Sequence, residues 1–352
     1  MTIYSQPTTT VQEPATKKAT PVRLRSGKTL WVRPFDMNSV ADYRAVVAID
    51  NAIDPDFTDS VENWMHWDSH RNLEHVRRRF IAERNSEAVA FGHYMHQSWS
   101  FREDKYMIWV GVHPDHQGNG YGSALWDYMM AQLMKREPGE LVSLMRENRT
   151  RAVRFLENRG FEQVMRYQVS RINPQAFDPA PFAGKIARVE QSGIAIKTLA
   201  QLQEEDPDWL QKTYDLHWET VQDVPSVDGH TKTPLDEWTK KFLDRPNFMP
   251  EGWFIALDGA DYVGLTMLWR DSTRSDKLGT GLTGVVGSHR RRGIATALKV
   301  RALTYARERG IVEVDTDNED NNPMYQLNLQ LGFEPVPAMV EMRRKLKDNG
   351  AA

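Results

Sequence analysis

The chain contains two copies of one sequence pattern, and this duplication constrains its fold more than any other feature. The first copy reads WVGVHPDHQGNGYGSALWDYMMAQL and the second reads LTGVVGSHRRRGIATALKVRALTYA. Each copy has a short β-branched run, then a polar turn that contains glycine, then an amphipathic stretch. A Gly-Phe pair follows each copy, with Phe161 41 positions after Gly120 and Phe333 40 positions after Gly293. The chain is therefore a tandem duplication.

The hydrophobic periodicity predicts the same alternation of strands and helices in both halves. At 352 residues the chain is long enough for two domains of roughly 150 residues each. We expect a tail at 1–21, an N-terminal domain at 22–171, a proline-containing linker at 172–189, a C-terminal domain at 190–346 and a tail at 347–352.

The predicted fold class is α/β, with a mixed sheet and helices in each half (α+β). The predicted strands lie near 29–33, 88–96, 106–113, 140–146, from 161, 194–198, 253–257, 262–269, 281–286, 311–315 and at the C-terminus. The predicted helices lie near 40–51, 59–79, 121–135, 150–158, 208–221, 234–243, 292–308 and 323–331.

Composition excludes several classes of protein. A net charge of −3 gives no basic field for nucleic acid, and no apolar run approaches the roughly 18 residues of a membrane span. The absence of cysteine removes disulfides, thiolate metal sites and cysteine nucleophiles, which fits a cytoplasmic protein. Residues 1–20 lack the apolar segment of a signal peptide.

A strand, a glycine-bearing turn and a helix form a common phosphate-binding unit, because the first turn of a helix presents unpaired N–H groups. The two best-known nucleotide motifs do not fit. The turns lack the G-x-G-x-x-G order of a dinucleotide fold, and neither has the Gly-Lys-Ser/Thr of a P-loop. The cations Arg290 to Arg292 are unfavourable at a helix N-terminus unless an anion binds there, which favours a phosphate ligand.

The pattern Gln/Arg-x-x-Gly-x-Gly/Ala does fit both turns, and it resembles the acetyl-CoA-binding motif of the GNAT superfamily of N-acetyltransferases. The resemblance covers about residues 22–172 and 190–346. It implies that backbone N–H groups of the two turns bind the CoA pyrophosphate. The turn residues are Gln117, Gly118, Asn119, Gly120, Tyr121 and Gly122 in the first half and Arg290, Arg291, Arg292, Gly293, Ile294 and Ala295 in the second.

The resemblance also implies a place for the pantetheine arm and the thioester. The strand before each turn pairs with pantetheine through its main chain, at Val110 and Val112 or at Thr283 and Val285. This strand splays from the next one, and the thioester lies in the gap. A family asparagine that contacts pantetheine corresponds to Asn321 in the second half, whereas the first half has Arg149.

The residues expected to act as general acid and general base depart from the pattern of the family. Many members place a tyrosine four residues before the glycine of Gly-Phe as general acid, and this chain has Leu156 and Asn328 there. Tyr325, one turn before Asn328, is the substitute candidate. Candidate bases are His93 or His96 in the first half and Asp271 or Glu313 in the second. These residues make the second half the expected catalyst.

The expected function is transfer of an acetyl group from acetyl-CoA to a primary amine of a small molecule or peptide, with no metal, by a monomer or homodimer. The acidic residues at 50–68 and 219–228 suit a cationic acceptor. The alternative is an acyl-CoA-binding sensor or scaffold with one or both halves degenerate. A longer acyl group or an oxygen acceptor stays open, because function lies in the site and not in the fold.

Overall fold

Thirteen strands form one mixed sheet in the computed structural model, which describes residues 19–346. The strands are β1 Thr20–Arg23, β2 Thr29–Pro34, β3 Arg77–Arg84, β4 Glu87–Met95, β5 Lys105–Val112, β6 Glu140–Arg146, β7 Glu162–Ile172, β8 Ile194–Thr198, β9 Trp253–Asp258, β10 Asp261–Arg270, β11 Lys277–Val285, β12 Glu313–Glu319 and β13 Glu334–Lys345.

Ten helices in residues 19–346 flank the sheet. They are α1 Val40–Ile53, α2 Val61–Ser69, α3 Tyr121–Leu133, α4 Thr150–Glu157, α5 Ala183–Gln191, α6 Leu199–Glu205, α7 Trp209–Val221, α8 Leu235–Phe242, α9 Ile294–Glu308 and α10 Pro323–Gln330. This arrangement confirms the predicted mixed α/β fold. No helix in the described part of the chain is long and apolar enough to cross a membrane.

The two halves exchange their last strands at the centre of the sheet. The strand order is β1-β2-β3-β4-β5-β6-β13-β7-β12-β11-β10-β9-β8. Strand β13, the last in the chain, lies antiparallel between β6 and β7, while β7 pairs antiparallel with β12 of the second half. Val340 and Met342 of β13 consequently lie in the hydrophobic core of the first half. Ile172 of β7 lies in the core of the second half.

Helices cover both faces of each half. In the first half, α3 packs against β4 and β5 through Leu125 and Met129, while α1 packs on the opposite face around Phe91. In the second half, α9 and α7 contact the two faces of β10 and β11. A Cβ at Gly264 would meet Ile294 of α9, whereas a Cβ at Gly284 would meet Thr220 of α7.

Two predicted segments differ from the structure. The predicted helix over 59–79 is wrong in its second part, because α2 ends at Ser69 and Arg77 begins strand β3. Arg77 and Arg79 point from β3 to the buried Asp68 of α2, so charged residues replace the apolar alternation that marks a strand. The expected linker 172–189 is also folded at its end, where α5 begins and packs on α9.

The strand exchange makes a testable prediction for stability. Val340 is 1% exposed in a core that belongs to the other half of the chain. Val340→Asp buries an unpaired charge there and should lower the free energy of unfolding by about 3–5 kcal/mol, measured by urea titration. Val164→Asp is the matched control, because Val164 is 45% exposed on the neighbouring β7. Equal effects of the two substitutions would contradict the placement of β13.

Candidate functional site

Each half has a V-shaped gap between two parallel strands. Strand β11 pairs with β12 only from Lys277 to Gly279, opposite Glu313 to Asp315. In the first half, β5 pairs with β6 only over Lys105–Met107. Beyond these short ladders the strands diverge, so the expected splay is present in both halves. The diverging edges carry backbone groups that no strand within residues 19–346 pairs.

The glycine turns lie at the start of the helix that follows each splayed strand. Gly120 and Gly293 are the N-caps of α3 and α9, with φ of +82° and +87°. Two residues earlier, Gly118 has φ +84° and Arg291 has φ +62°, so the two turns share a left-handed conformation. A helix N-terminus approached in this way presents unpaired N–H groups and a positive dipole to an anion.

The side chains of the turns stabilise the same geometry in both halves. Gln117 Nε2 donates to the carbonyl oxygen of Val112 at 3.2 Å, and Arg290 Nε donates to that of Val285 at 3.1 Å. The Arg290 guanidinium also pairs with Asp223. Tyr121 and Ile294 are buried in the two cores, so only their main-chain groups face the turn. The remaining turn residues, Asn119, Gly122, Arg292 and Ala295, are exposed or half-buried.

The predicted strand residues lie at the open edges of the gaps. Val110 and Val112 pair with β4 on one side, and Thr283 and Val285 pair with β10. Their other side faces the gap, because β6 and β12 have diverged. Asn321 is exposed after β12, where its amide donates to Glu319 at 2.8 Å. Arg149 at the corresponding position of the first half lies 3.5 Å from Asp54.

A cleft of about 760 Å³ lies where the two halves meet. Its floor comes from β6, β7, β11, β12 and β13, including Arg146, Tyr167 and Thr280. Its walls come from both halves: residues 57–59 after α1, Trp99 after β4, and Arg245 and Asn247 after α8. The gap between β11 and β12 opens into this cleft, since Gly279, Thr280 and residues 315–317 line both features.

Asp317 is the carboxylate best placed for chemistry in this cleft. It follows Asp315, the last β12 residue paired with β11, by two positions and therefore points to the same face. Among residues 19–346 nothing donates a hydrogen bond to its carboxylate or forms an ion pair with it. Protein surrounds the cleft, and this confinement raises the pKa of Asp317 although its side chain is solvent-accessible. The charges of Lys299 and Arg146 oppose that shift.

Lys299, on helix α9, is near enough to Asp317 for the charge of each to affect the pKa of the other, although the two form no ion pair. It is 3% exposed on α9, with its ammonium 5.5 Å from the Phe333 ring centre. Burial lowers its pKa to about 7. An acid with a raised pKa next to an amine with a lowered pKa is typical of sites that move protons.

The first half lacks this polar group. The duplication aligns Asp317 with Leu144, Lys299 with Trp126 and Asn328 with Leu156, counted from the strand pairing, the N-cap glycine and the Gly-Phe pair respectively. Trp126 and Leu156 are buried in the core of the first half. The same gap is therefore polar in the second half and apolar in the first.

The two candidate histidines have structural surroundings. His93 is half-buried on β4 with its ring parallel to Trp109, and burial lowers its pKa to about 3. His96 Nδ1 accepts from the Val76 amide at 3.2 Å, and its Nε2 lies 3.1 Å from the Glu103 carbonyl oxygen. In this geometry no ring nitrogen of His96 is left to exchange a proton with a substrate.

The candidate carboxylates of the second half are occupied by cations and amides. Glu313 forms ion pairs with Arg171, Arg274 and Lys277, and these partners, which outweigh its burial, lower its pKa. Asp271 accepts hydrogen bonds from the Thr273 and Arg274 amides at 2.9 and 3.0 Å. Both carboxylates are engaged by cations or amides of the chain, unlike Asp317.

The acidic residues expected at the mouth of the site are also mostly paired. Asp68 pairs with two arginines, and Asp228 pairs with Lys105 and Arg343. Asp50 is half-buried, and burial with the nearby Asp59 and Asp54 raises its pKa to about 6. The cleft itself is therefore of mixed charge and is not uniformly acidic.

Tyr325 and Asn328 lie on α10, which packs beside β12. Asn328 is fully buried, its Nδ2 donates to Asn318 Oδ1 at 2.6 Å, and its own Oδ1 has no partner in the described chain. Tyr325 is half-buried, and its hydroxyl makes no hydrogen bond within residues 19–346. No group of three or more metal-ligating side chains occurs in the same range.

Comparison with known proteins agrees with these features. The model of the acetyltransferase (GNAT) family matches the chain twice, at residues 46–161 and 210–333. A curated relative, the mycothiol acetyltransferase of Streptomyces scabiei, is 26% identical over 228 residues, which are 63% of this chain and 66% of that protein. The match thus spans just under two thirds of the relative's length.

Two solved structures show the same fold over most of the chain. A tandem GNAT protein from the clavulanic acid biosynthesis pathway has a TM-score of 0.70 and 16% identity, covering 91% of this chain and 99% of its own. A GCN5-related N-acetyltransferase from Sphaerobacter thermophilus has a TM-score of 0.63 and 21% identity, covering 90% and 96%.

Proposed function

Because the chain belongs to the GNAT family of acetyltransferases, we propose that its second half transfers an acetyl group from acetyl-CoA to a primary amine in the central cleft. One observation carries this proposal. The left-handed turn at α9, the gap between β11 and β12, and the Asp317 carboxylate lie in sequence along one path into the cleft.

The residues along this path fit acetyl-CoA. The N–H groups at the start of α9 would bind the pyrophosphate, with the exposed Arg290, Arg291 and Arg292 adding positive charge. The open edge of β11 at Thr283 and Val285 would pair with the pantetheine amides, and Asn321 lies beyond the other side of the gap. Acetyl-CoA supplies the thioester that the acceptor amine attacks.

The chain's own groups supply the proton transfers. We assign Asp317 as the base that takes a proton from the acceptor ammonium, so that the neutral nitrogen attacks the thioester carbonyl. The C–S bond breaks as the C–N bond forms, the cationic nitrogen releases its second proton to water to give the neutral amide, and the departing thiolate takes a proton from the Tyr325 hydroxyl or from water. Asn328 has a positioning role, since its bond to Asn318 holds α10 against β12.

Turnover can be tested with a thiol reagent, because the chain has no cysteine and only CoA would react. We expect release of free thiol from acetyl-CoA that depends on an added primary amine, with one N-acetylated amine formed per thiol. Tight acetyl-CoA binding with no release across a wide amine panel would contradict the proposal and favour the sensor alternative.

A further inference from the structure

Arg245 differs from the other cations that line the central cleft. Arg146, Arg270 and Lys277 each have a carboxylate partner, at Asp54, Glu251 and Asp315 respectively. Arg245 lines the same cleft, but within residues 19–346 no group accepts a hydrogen bond from it and no carboxylate lies within ion-pair distance. Its Nε is fully buried without a partner. Arg245 is half-buried as a whole, and a guanidinium that has lost part of its hydration is costly to leave unpaired unless a ligand completes it.

Two tryptophans hold the Arg245 guanidinium in place. Its central carbon lies 4.4 Å from the Trp67 ring centre and 4.6 Å from that of Trp269. Trp67 belongs to the first half and Trp269 to the second. Burial lowers the pKa of Arg245 to about 10, with an opposing effect of Asp59, so the group stays charged at neutral pH. Cation–π contact with two rings fixes the position of the guanidinium and leaves its N–H groups for hydrogen bonds to a ligand.

Asp59 is the carboxylate whose charge acts on the pKa of Arg245, and it already accepts hydrogen bonds from other groups. Asp59 Oδ1 accepts from the Ser60 amide, Asn63 Nδ2 and Ser272 Oγ, at 2.8, 2.8 and 2.6 Å. These three hydrogen bonds stabilise the Asp59 carboxylate without any contact to Arg245. The arginine is therefore not the missing half of an internal ion pair.

Two buried amides beside Arg245 also await a partner. Asn63 and Asn247 line the cleft and are 5% and 9% exposed. Their Nδ2 atoms are committed, to Asp59 and to the Arg270 carbonyl oxygen, while both Oδ1 atoms are buried and unpaired. Unsatisfied donors and acceptors gathered in one cleft are the mark of a polar ligand site.

We infer that Arg245 binds an anionic group of the acceptor, so that the substrate is an amine carrying a carboxylate or phosphate at its far end. The planar fork of arginine suits either anion in a two-bond contact. The unpaired Asn63 and Asn247 oxygens accept from N–H or O–H groups next to that anion. This inference rests on the proposed function for the position of the amine at Asp317.

The sheet sets the distance between the two ends of the acceptor. Trp269 pairs with Gly279, and Gly279 pairs with Asp315, so Asp317 lies two strands and two residues from Trp269. Regular strand spacing and rise would give roughly 12 Å between the Cα atoms of Trp269 and Asp317, and the divergence of β12 from β11 after Asp315 increases this distance. An amine at Asp317 and an anion at Arg245 are therefore separated by several bonds, as in an ω-amino acid.

The test compares three amines that each have six carbons: 6-aminohexanoate, hexylamine and 6-aminohexyl phosphate. Each is titrated calorimetrically into the full chain with CoA present, which permits binding without reaction. We expect one of the two anionic amines to bind about 10- to 100-fold more tightly than hexylamine, the range of a charge-assisted contact. The preferred anion identifies the chemistry of the ligand.

Arg245→Gln should remove this preference and leave hexylamine binding unchanged. Arg245→Lys keeps the charge between the tryptophans but loses the fork, so it should retain part of the preference. Arg270→Gln is the control, because Arg270 already has Glu251 as its partner. Equal binding of all three amines, no binding of either anionic amine, or an unchanged preference in Arg245→Gln would overturn the inference. If the unmodified chain preferred the anionic amine but released no free thiol from acetyl-CoA, the proposed function would be wrong while the inference about Arg245 would stand.

Discussion

Asp317→Asn should lower kcat by about 10²–10⁴-fold, the contribution typical of a general base, with little change in the affinity for acetyl-CoA. The substitution keeps the size of the side chain and removes its ability to take a proton. Steady-state kinetics with a thiol readout gives kcat, and calorimetry gives the dissociation constant. The split between the two quantities distinguishes a proton acceptor from a structural residue.

The dependence of activity on pH should reflect the titration of Asp317. The raised pKa of Asp317 means that the carboxylate is protonated at higher pH than an ordinary aspartate, so activity should rise as pH increases through that raised value. The variant should lose this inflection. Leu144→Asn, at the matching position of the first half, is the control and should leave kcat unchanged. An unchanged kcat in Asp317→Asn would show that another base serves the reaction.

Gly293→Glu should abolish acetyl transfer and weaken acetyl-CoA binding to the second half by at least about 100-fold, since two or more charge-assisted bonds are lost. Gly293 has φ +87°, where an L side chain is strained, and an added Cβ would lie 3.4 Å from Val189 Cγ2. The new carboxylate would also occupy the N-terminus of α9, where we place the pyrophosphate. Calorimetric titration and the thiol assay measure both effects.

Two control variants distinguish the effect of the added charge from the effect of the half in which it is placed. Gly293→Asn adds a side chain that tolerates the left-handed conformation and carries no charge, so it should retain most of the binding. Gly120→Glu places the same charge at the equivalent turn of the first half, where a Cβ meets nothing within 4 Å. It should leave acetyl transfer intact. If Gly120→Glu stopped turnover and Gly293→Glu did not, the first half would be the catalyst.

Much of the fold could be predicted from the sequence because each element carries its own periodic signal. The strands at 140–146 and 194–198 agree with the structure to the residue. The exchange of β7 and β13 could not be predicted, since a strand with alternating apolar residues such as Val340 and Met342 fits either half of the sheet equally well. Register between halves depends on tertiary packing that no local pattern reports.

In the candidate site, too, some features could be predicted from the sequence and others could not. The turns could be predicted because a left-handed backbone favours glycine, as at Gly120 and Gly293. Asp317 could not be predicted, because the role that we propose for it depends on the divergence of β12 from β11, which is a property of two strands. A signal was nevertheless present. Aligning the two halves places Asp317 and Lys299 opposite Leu144 and Trp126, and polar residues where the other copy has apolar ones favour the half that we propose as the catalyst.

A crystal structure of the chain with acetyl-CoA tests the central claim most directly. The account predicts the pyrophosphate at the N–H groups that begin α9, the pantetheine along Thr283 and Val285, and the thioester in the gap beside Asp317. Acetyl-CoA bound only at the Gly118–Gly120 turn of the first half, with the gap between β11 and β12 closed to it, would contradict the account.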